Sequence, residues 1–185
     1  ALAAAEVNVP PPSSETPVTT QAMIAQIFCQ LSVCTQINDV SGLDQVDSRA
    51  RAVCAAPLDA RVLTVSASEC TRYDLDTFDS PIFIVNGPAV TSGVELSGKS
   101  LRVETALRAL SELGYREYVD SIGICCIVEH CDRLEPNRSY TLSATPGTVY
   151  VSDIDSQVRM MEQLLHESIH NWLNDAMYAL NEKWN

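Results

Sequence analysis

The sequence predicts an α+β fold, mostly helical with a small sheet, and three observations carry that expectation. Residues 155–183 hold one unbroken amphipathic pattern with no Pro or Gly. Shorter stretches near residues 21–34 and 42–55 repeat the three- and four-residue apolar spacing of a helix. Brief β-branched runs lie between them, bounded by Asn, Gly and Pro. Helices first, then strands and helices in mixture, is an α+β order.

Taken in order, residues 1–20 read as a flexible Pro/Ser/Thr-rich tail around Pro10-Pro11-Pro12, and residues 21–185 as one domain. Met23, Ile24, Ile27, Phe28 and Leu31 form the first helical stripe, and Leu43, Val46, Ala50 and Val53 the second. Residues 61–66 and 81–85 read as strands, the latter closed by Asn86-Gly87-Pro88. Asp74, Asp76 and Asp79 crowd the loop between them; their spacing lacks the EF-hand pattern, which leaves a solvated loop. Residues 100–131 read as one or two helices around Gly114. Residues 138–144 follow, and Val149 and Val151 alternate with Tyr150 in a strand over 147–152 that leads into the last helix. Asp153, Asp155 and Ser156 are its capping candidates.

On that helix Val158, Met161, Leu165, Ile169, Trp172, Ala176 and Leu180 mark one apolar stripe. His166-Glu167-Ser168-Ile169-His170 is an HExxH motif within it, with both imidazoles at the border of the apolar face. Histidines four apart point the same way and can grip one cation, while Glu167 is placed to take a proton from water or to hold a ligand. Two of the chain's three histidines stand here. The structural alternative is a pair of core-edge histidines bonded to carbonyls or carboxylates. A third ligand is not evident. No His or Gly follows the motif at zincin spacing, Asp175 and Glu182 point away on a continuous helix, Asn174 is a poor ligand, and His130 is the remaining imidazole. Either the ligand comes from upstream or the working enzyme continues past Asn185, and the second is the expectation.

A formal charge of −12 argues against nucleic acid and anionic membranes as partners. No apolar run approaches membrane-spanning length. Seven cysteines without a CxxC pair favour buried thiols in a cytoplasmic protein over a secreted disulfide framework, and Cys125-Cys126 fall in an apolar, helix-like run.

The segments Pro146–Ser152 and Met161–His170 resemble the HExxH-motif proteins associated with peptide natural products, some of them similar to 2-oxoglutarate- and iron-dependent peptide β-hydroxylases. The resemblance covers about the last seventy residues, with Tyr118–Glu135 in the place of the helix that precedes the strand. It implies Fe(II) held by His166 and His170, positions left open for 2-oxoglutarate and O₂, and a basic residue for the distal carboxylate. It assigns Glu167 no definite role. The leading expectation is therefore side-chain hydroxylation of a peptide substrate. The alternative is a zinc metallopeptidase with His166 and His170 as ligands and Glu167 as general base. A non-enzymatic binding domain is the third reading. Oligomeric state is left open.

Overall fold

A computed structural model describes residues 17–55, 62–75, 80–86, 94–128 and 139–184. Helix α1 spans Val18–Ile37 and ends at Asn38, whose left-handed conformation (φ 55°) returns the chain toward α2, Val40–Ala55. Strand β1, Leu63–Ser66, runs through a 3₁₀ turn, Ala67–Glu69, into β2, Cys70–Tyr73. Then come β3 (Ile82–Val85), α3 (Val94–Leu110), a π-helical turn (Ser111–Tyr115), α4 (Arg116–Val119), β4 (Ile124–Val128), β5 (Tyr140–Thr141), β6 (Thr148–Ser152) and α5 (Gln157–Trp184). The fold is α+β, with the HExxH motif on a long C-terminal helix.

The main sheet has the order β1-β4-β6-β5. Its first three strands are parallel, and β5 pairs antiparallel along β6 as an edge strand. Strands β2 and β3 form a separate antiparallel pair. Parallel strands need cover on both faces, and alternation along β4 supplies apolar groups to each. Cys125 and Ile127 meet Val103, Leu107, Leu110, Met160 and Leu164 of α3 and α5. Ile124, Cys126 and Val128 meet Met23 and Ile27 of α1, Val46 and Val53 of α2, and Phe83 and Val85 of β3. Gln26 of α1 ties the two sheets together: its Oε1 accepts the Val85 N–H at 3.0 Å and its Nε2 donates to Thr148 Oγ1 at 3.3 Å.

The predicted helix over 100–131 is corrected in its second half. Gly114, at φ 96°, interrupts the helix at the π turn, and α4 ends at Val119. Ile124–Val128 is the central strand of the sheet, buried at every position. A strand covered on both faces is apolar throughout, so it carries no period-2 signal and reads equally as a buried helix. Tyr118–Val128 therefore does not form the helix that the family resemblance implied before the final strand. The predicted tail extends too far by three residues, since Val18 already opens α1. Residues 1–16, Asp76, Asp79, Gly87-Pro88, His130, Cys131 and Glu135 lie outside the described residues.

The start of α5 is anchored to α3. Lys99 Nζ stands 3.0 Å from Asp153, and Arg102 reaches Asp153 at 3.2 Å and Asp155 at 2.7 Å. The Lys99–Asp153 pair is withdrawn from solvent, at 8% and 30% side-chain exposure, so water screens it less than a surface pair. These aspartates act as clamps. The N-cap is Ser156, whose Oγ accepts the Arg159 N–H at 3.5 Å.

The face of α5 that meets the sheet also differs from the sequence reading. Val158 is 73% exposed, Trp172 is 37% exposed, and Ile169 is half-buried. The buried positions are Met160, Gln163, Leu164, Glu167, Ser168 and Asn171. The helix is turned by roughly 140° from the face that hydropathy selects, at about 100° per residue. Leu164→Ala should accordingly lower unfolding free energy by about 2–5 kcal/mol, whereas Val158→Ala should stay within about 0.5 kcal/mol. Urea titration of both variants checks this; equal losses would return the helix to the other face.

Candidate metal centre on the last helix

The rotation of α5 decides where each residue of the motif goes. His166 and His170 lie on the solvent side, not at a half-dry border, with 65% of the His166 side chain exposed. Their rings meet edge-to-face at 4.7 Å between centroids, and the two Nε2 atoms are 3.1 Å apart. Two imidazole nitrogens bound at ~2.05 Å to one ion stand about 3.3 Å apart at a tetrahedral angle and about 2.9 Å at a right angle. This spacing would fit a shared cation, zinc or iron alike, and it is equally that of the direct imidazole–imidazole hydrogen bond the two nitrogens make.

Glu167 goes the other way. Its side chain is 1% exposed, and its Oε1 lies 4.0 Å from His166 Nε2. Neither carboxylate oxygen makes a hydrogen bond of sound geometry. Burial pushes its pKa above the ordinary value of 4.5. The hydroxyls of Ser139 and Thr141 and the two imidazoles pull in the opposite direction without cancelling it. Ser139 and Thr141 come from the edge strand β5 and its approach, so α5 presses the carboxyl against the one antiparallel strand of the main sheet.

A cleft of about 410 Å³ opens beside His166, lined also by Ser139, Arg159, Glu162 and Gln163. The helical members were not singled out from the sequence, although helical spacing could have found them, since Glu162 and Gln163 precede His166 by one turn and Arg159 by two. Ser139 had no such signal, since nothing local marks a residue brought in by the sheet. Asn171, one turn past Glu167 and also buried, has both amide atoms without a partner; it was missed because an amide in an apolar-looking helix suggests an outward position.

The remaining ligand candidates are not gathered here. Asp175 lines a different cavity, of about 360 Å³, with Val18, Gln21, Ala22, Ser121, Pro146 and Gly147, and burial raises its pKa. Among the described residues, no three His, Cys, Asp or Glu side chains are placed to hold one ion. His130 and the Glu182 side chain lie outside that set. Comparison with family models, curated proteins and solved structures finds no match for this chain.

The raised pKa gives a signed prediction. A carboxyl that holds its proton more tightly when folded lowers stability as pH rises from its unfolded value, near 4.5, through its higher folded value. Glu167→Gln removes this term. The metal-free variant should be more stable than wild type at pH 7, and the gap should close at pH 4. Melting curves at both pH values check it; a variant less stable than wild type at pH 7 would show that the carboxylate is satisfied.

Proposed function

We propose that this protein is a zinc-dependent peptidase centred on His166, His170 and Glu167. One observation carries the reading: a carboxyl that burial keeps above its ordinary pKa, despite the Ser139 and Thr141 hydroxyls, lies immediately beside an exposed pair of imidazoles 3.1 Å apart. A purely structural HExxH has no need to bury its glutamate beneath the imidazoles, because an incompletely bonded buried carboxylate is destabilising. Zinc in such a site supplies Lewis acidity and lowers the pKa of water. The chain's own residues do the rest. Glu167 takes the proton from the attacking water, and its raised pKa brings it nearer the range where it can accept that proton and return it to the leaving amine. The outer edge of β5 pairs with no other strand among the described residues, and an extended peptide can add there by backbone hydrogen bonds, bringing its carbonyl past His166.

Iron- and 2-oxoglutarate-dependent peptide hydroxylation is the second reading, and Arg159 favours it. Arg159 stands in the same cleft as His166, where its guanidinium suits the distal carboxylate of 2-oxoglutarate.

The two readings separate on Glu167. Under the peptidase reading, Glu167→Gln retains zinc by calorimetry and loses about 10²–10⁴-fold in peptide cleavage, while His166→Ala and His170→Ala lose zinc itself. Under the oxygenase reading, wild type with Fe(II), 2-oxoglutarate and O₂ releases succinate, and Glu167→Gln largely preserves that release. Succinate from wild type with no peptide cleavage would overturn the peptidase proposal.

A further inference from the structure

The outward face of α5 carries more than the two imidazoles. At about 100° per residue, Arg159, Glu162, His166, His170, Leu173 and Met177 all point within about 40° of the His166 direction. Each of them is exposed, and they lie on the side of the helix away from the core residue Leu164. The stripe is ordered by chemistry. Its first part is charged, and there Arg159 and Glu162 line the cleft beside His166. Among the described residues neither side chain is taken up by an ion pair; the Arg159 bond to Ser156 runs through the backbone N–H. Its last part is apolar, with Leu173 44% and Met177 62% exposed. A lone exposed leucine needs no explanation, but two large apolar groups one turn apart, in line with two imidazoles, make a continuous strip.

The stripe also has a definite length. From Arg159 to Met177 the helix rises about 27 Å, at 1.5 Å per residue. Nine extended residues cover roughly the same distance, and their alternate side chains face one way about 6.7 Å apart. Measured from the midpoint of the two histidines, Leu173 lies about 7.5 Å along the helix and Met177 about 13.5 Å. Those are the places of the second and fourth residues from the one at the imidazoles. In the other direction Glu162 lies about 9 Å away and Arg159 about 13.5 Å, so their long side chains meet the second and fourth residues there.

We infer that this stripe is the recognition surface of the centre, and that its occupant is an extended amphipathic peptide. Apolar side chains cover Leu173 and Met177, a basic side chain meets Glu162, and a carboxylate meets Arg159. The inference rests on the peptidase reading for the reaction at the central residue, but its binding surface does not depend on cleavage. The apolar end buries area only in the complex, and the flexible Met177 thioether selects for apolar character rather than for one residue. The charged end sets register and direction. A formal charge of −12 would repel a peptide whose charged end were wholly acidic, and the order Glu162 then Arg159 admits one base and one acid.

The experiment is fluorescence anisotropy of fluorescein-labelled nonapeptides with the full Glu167→Gln chain and added zinc, in which bound peptide stays whole. The probe is Leu-Ser-Leu-Ser-Ala-Ser-Lys-Ser-Glu together with its reversed sequence, one of which presents its side chains in the right order for either chain direction. Replacing both Leu by Ser should weaken the better binder by about tenfold or more. Exchanging its Lys and Glu should weaken it by about threefold to tenfold. On the protein, Leu173→Ser with Met177→Ser should reproduce the first loss, and Glu162→Arg with Arg159→Glu should invert the second preference. These positions are exposed, so the melting temperature should hold. Equal affinity for the Leu and Ser peptides, or no binding of either sequence, would overturn the surface. A charge preference that survives the Glu162→Arg, Arg159→Glu exchange would remove the charged end from it. The expected preference without cleavage by wild type would keep the surface and reject the peptidase reading; cleavage indifferent to peptide sequence would do the reverse.

Discussion

The rotational setting of α5 on the parallel strands is the constraint on which the rest depends. Leu164 and Met160 enter the core formed by Leu107, Leu110, Ile127 and Val151. Once they do, a residue three after Leu164 must also face the sheet, and those one turn apart on the far side must face solvent. Glu167 is thereby driven inward and the two imidazoles outward. The ion pairs of Lys99 and Arg102 with Asp153 and Asp155 hold the first turn at one angle, so the setting does not slip. The chemistry of the candidate centre follows from packing a turn and a half away from it.

That setting also separates two kinds of buried polar group along one helix. Gln163, Glu167 and Asn171 succeed one another at four-residue spacing on the inward side. Gln163 is satisfied, because its Oε1 accepts the Ser152 N–H at 3.2 Å where β6 ends. Asn171 is not, and Glu167 is met only in part, by the Ser139 and Thr141 hydroxyls. The first group closes a strand end and is structural. Glu167 faces the two-residue edge strand β5 and its approach, which supply only those hydroxyls.

How much of this was legible from the sequence depended on whether burial leaves a period behind. Helices α1, α2 and α5 and strands β1, β3 and β6 follow from spacing and turn residues. Strand β4 does not, since Ile124-Cys125-Cys126-Ile127-Val128 is apolar on both faces. Strand β2, reading Cys70-Thr71-Arg72-Tyr73, has no hydrophobic alternation at all and exists through its pairing with β3. The motif residues were found by spacing alone, but their directions were not. Hydropathy ranks Val158, Ile169 and Trp172 as the inward stripe, and the true stripe contains Gln163, Glu167, Ser168 and Asn171. A helix that buries polar groups beside a site misleads any reading that equates apolar with inside.

The same conflict between local pattern and global fold argues for function. Burial of the Glu167 carboxyl opposes folding at neutral pH by more than the Ser139 and Thr141 hydroxyls offset, and the unpartnered buried amide one turn away adds to it. Such groups persist where another requirement outweighs stability. A cation between His166 and His170 would place positive charge a few ångströms from Glu167, favour its ionised form and convert the unfavourable burial into an attractive interaction. Low local dielectric would then strengthen the coupling between carboxylate and cation rather than penalise the carboxylate alone. On this argument the instability of Glu167 and the affinity of the histidine pair for a metal are one quantity: binding the ion should stabilise the fold by more in wild type than in a chain whose Glu167 carries no charge.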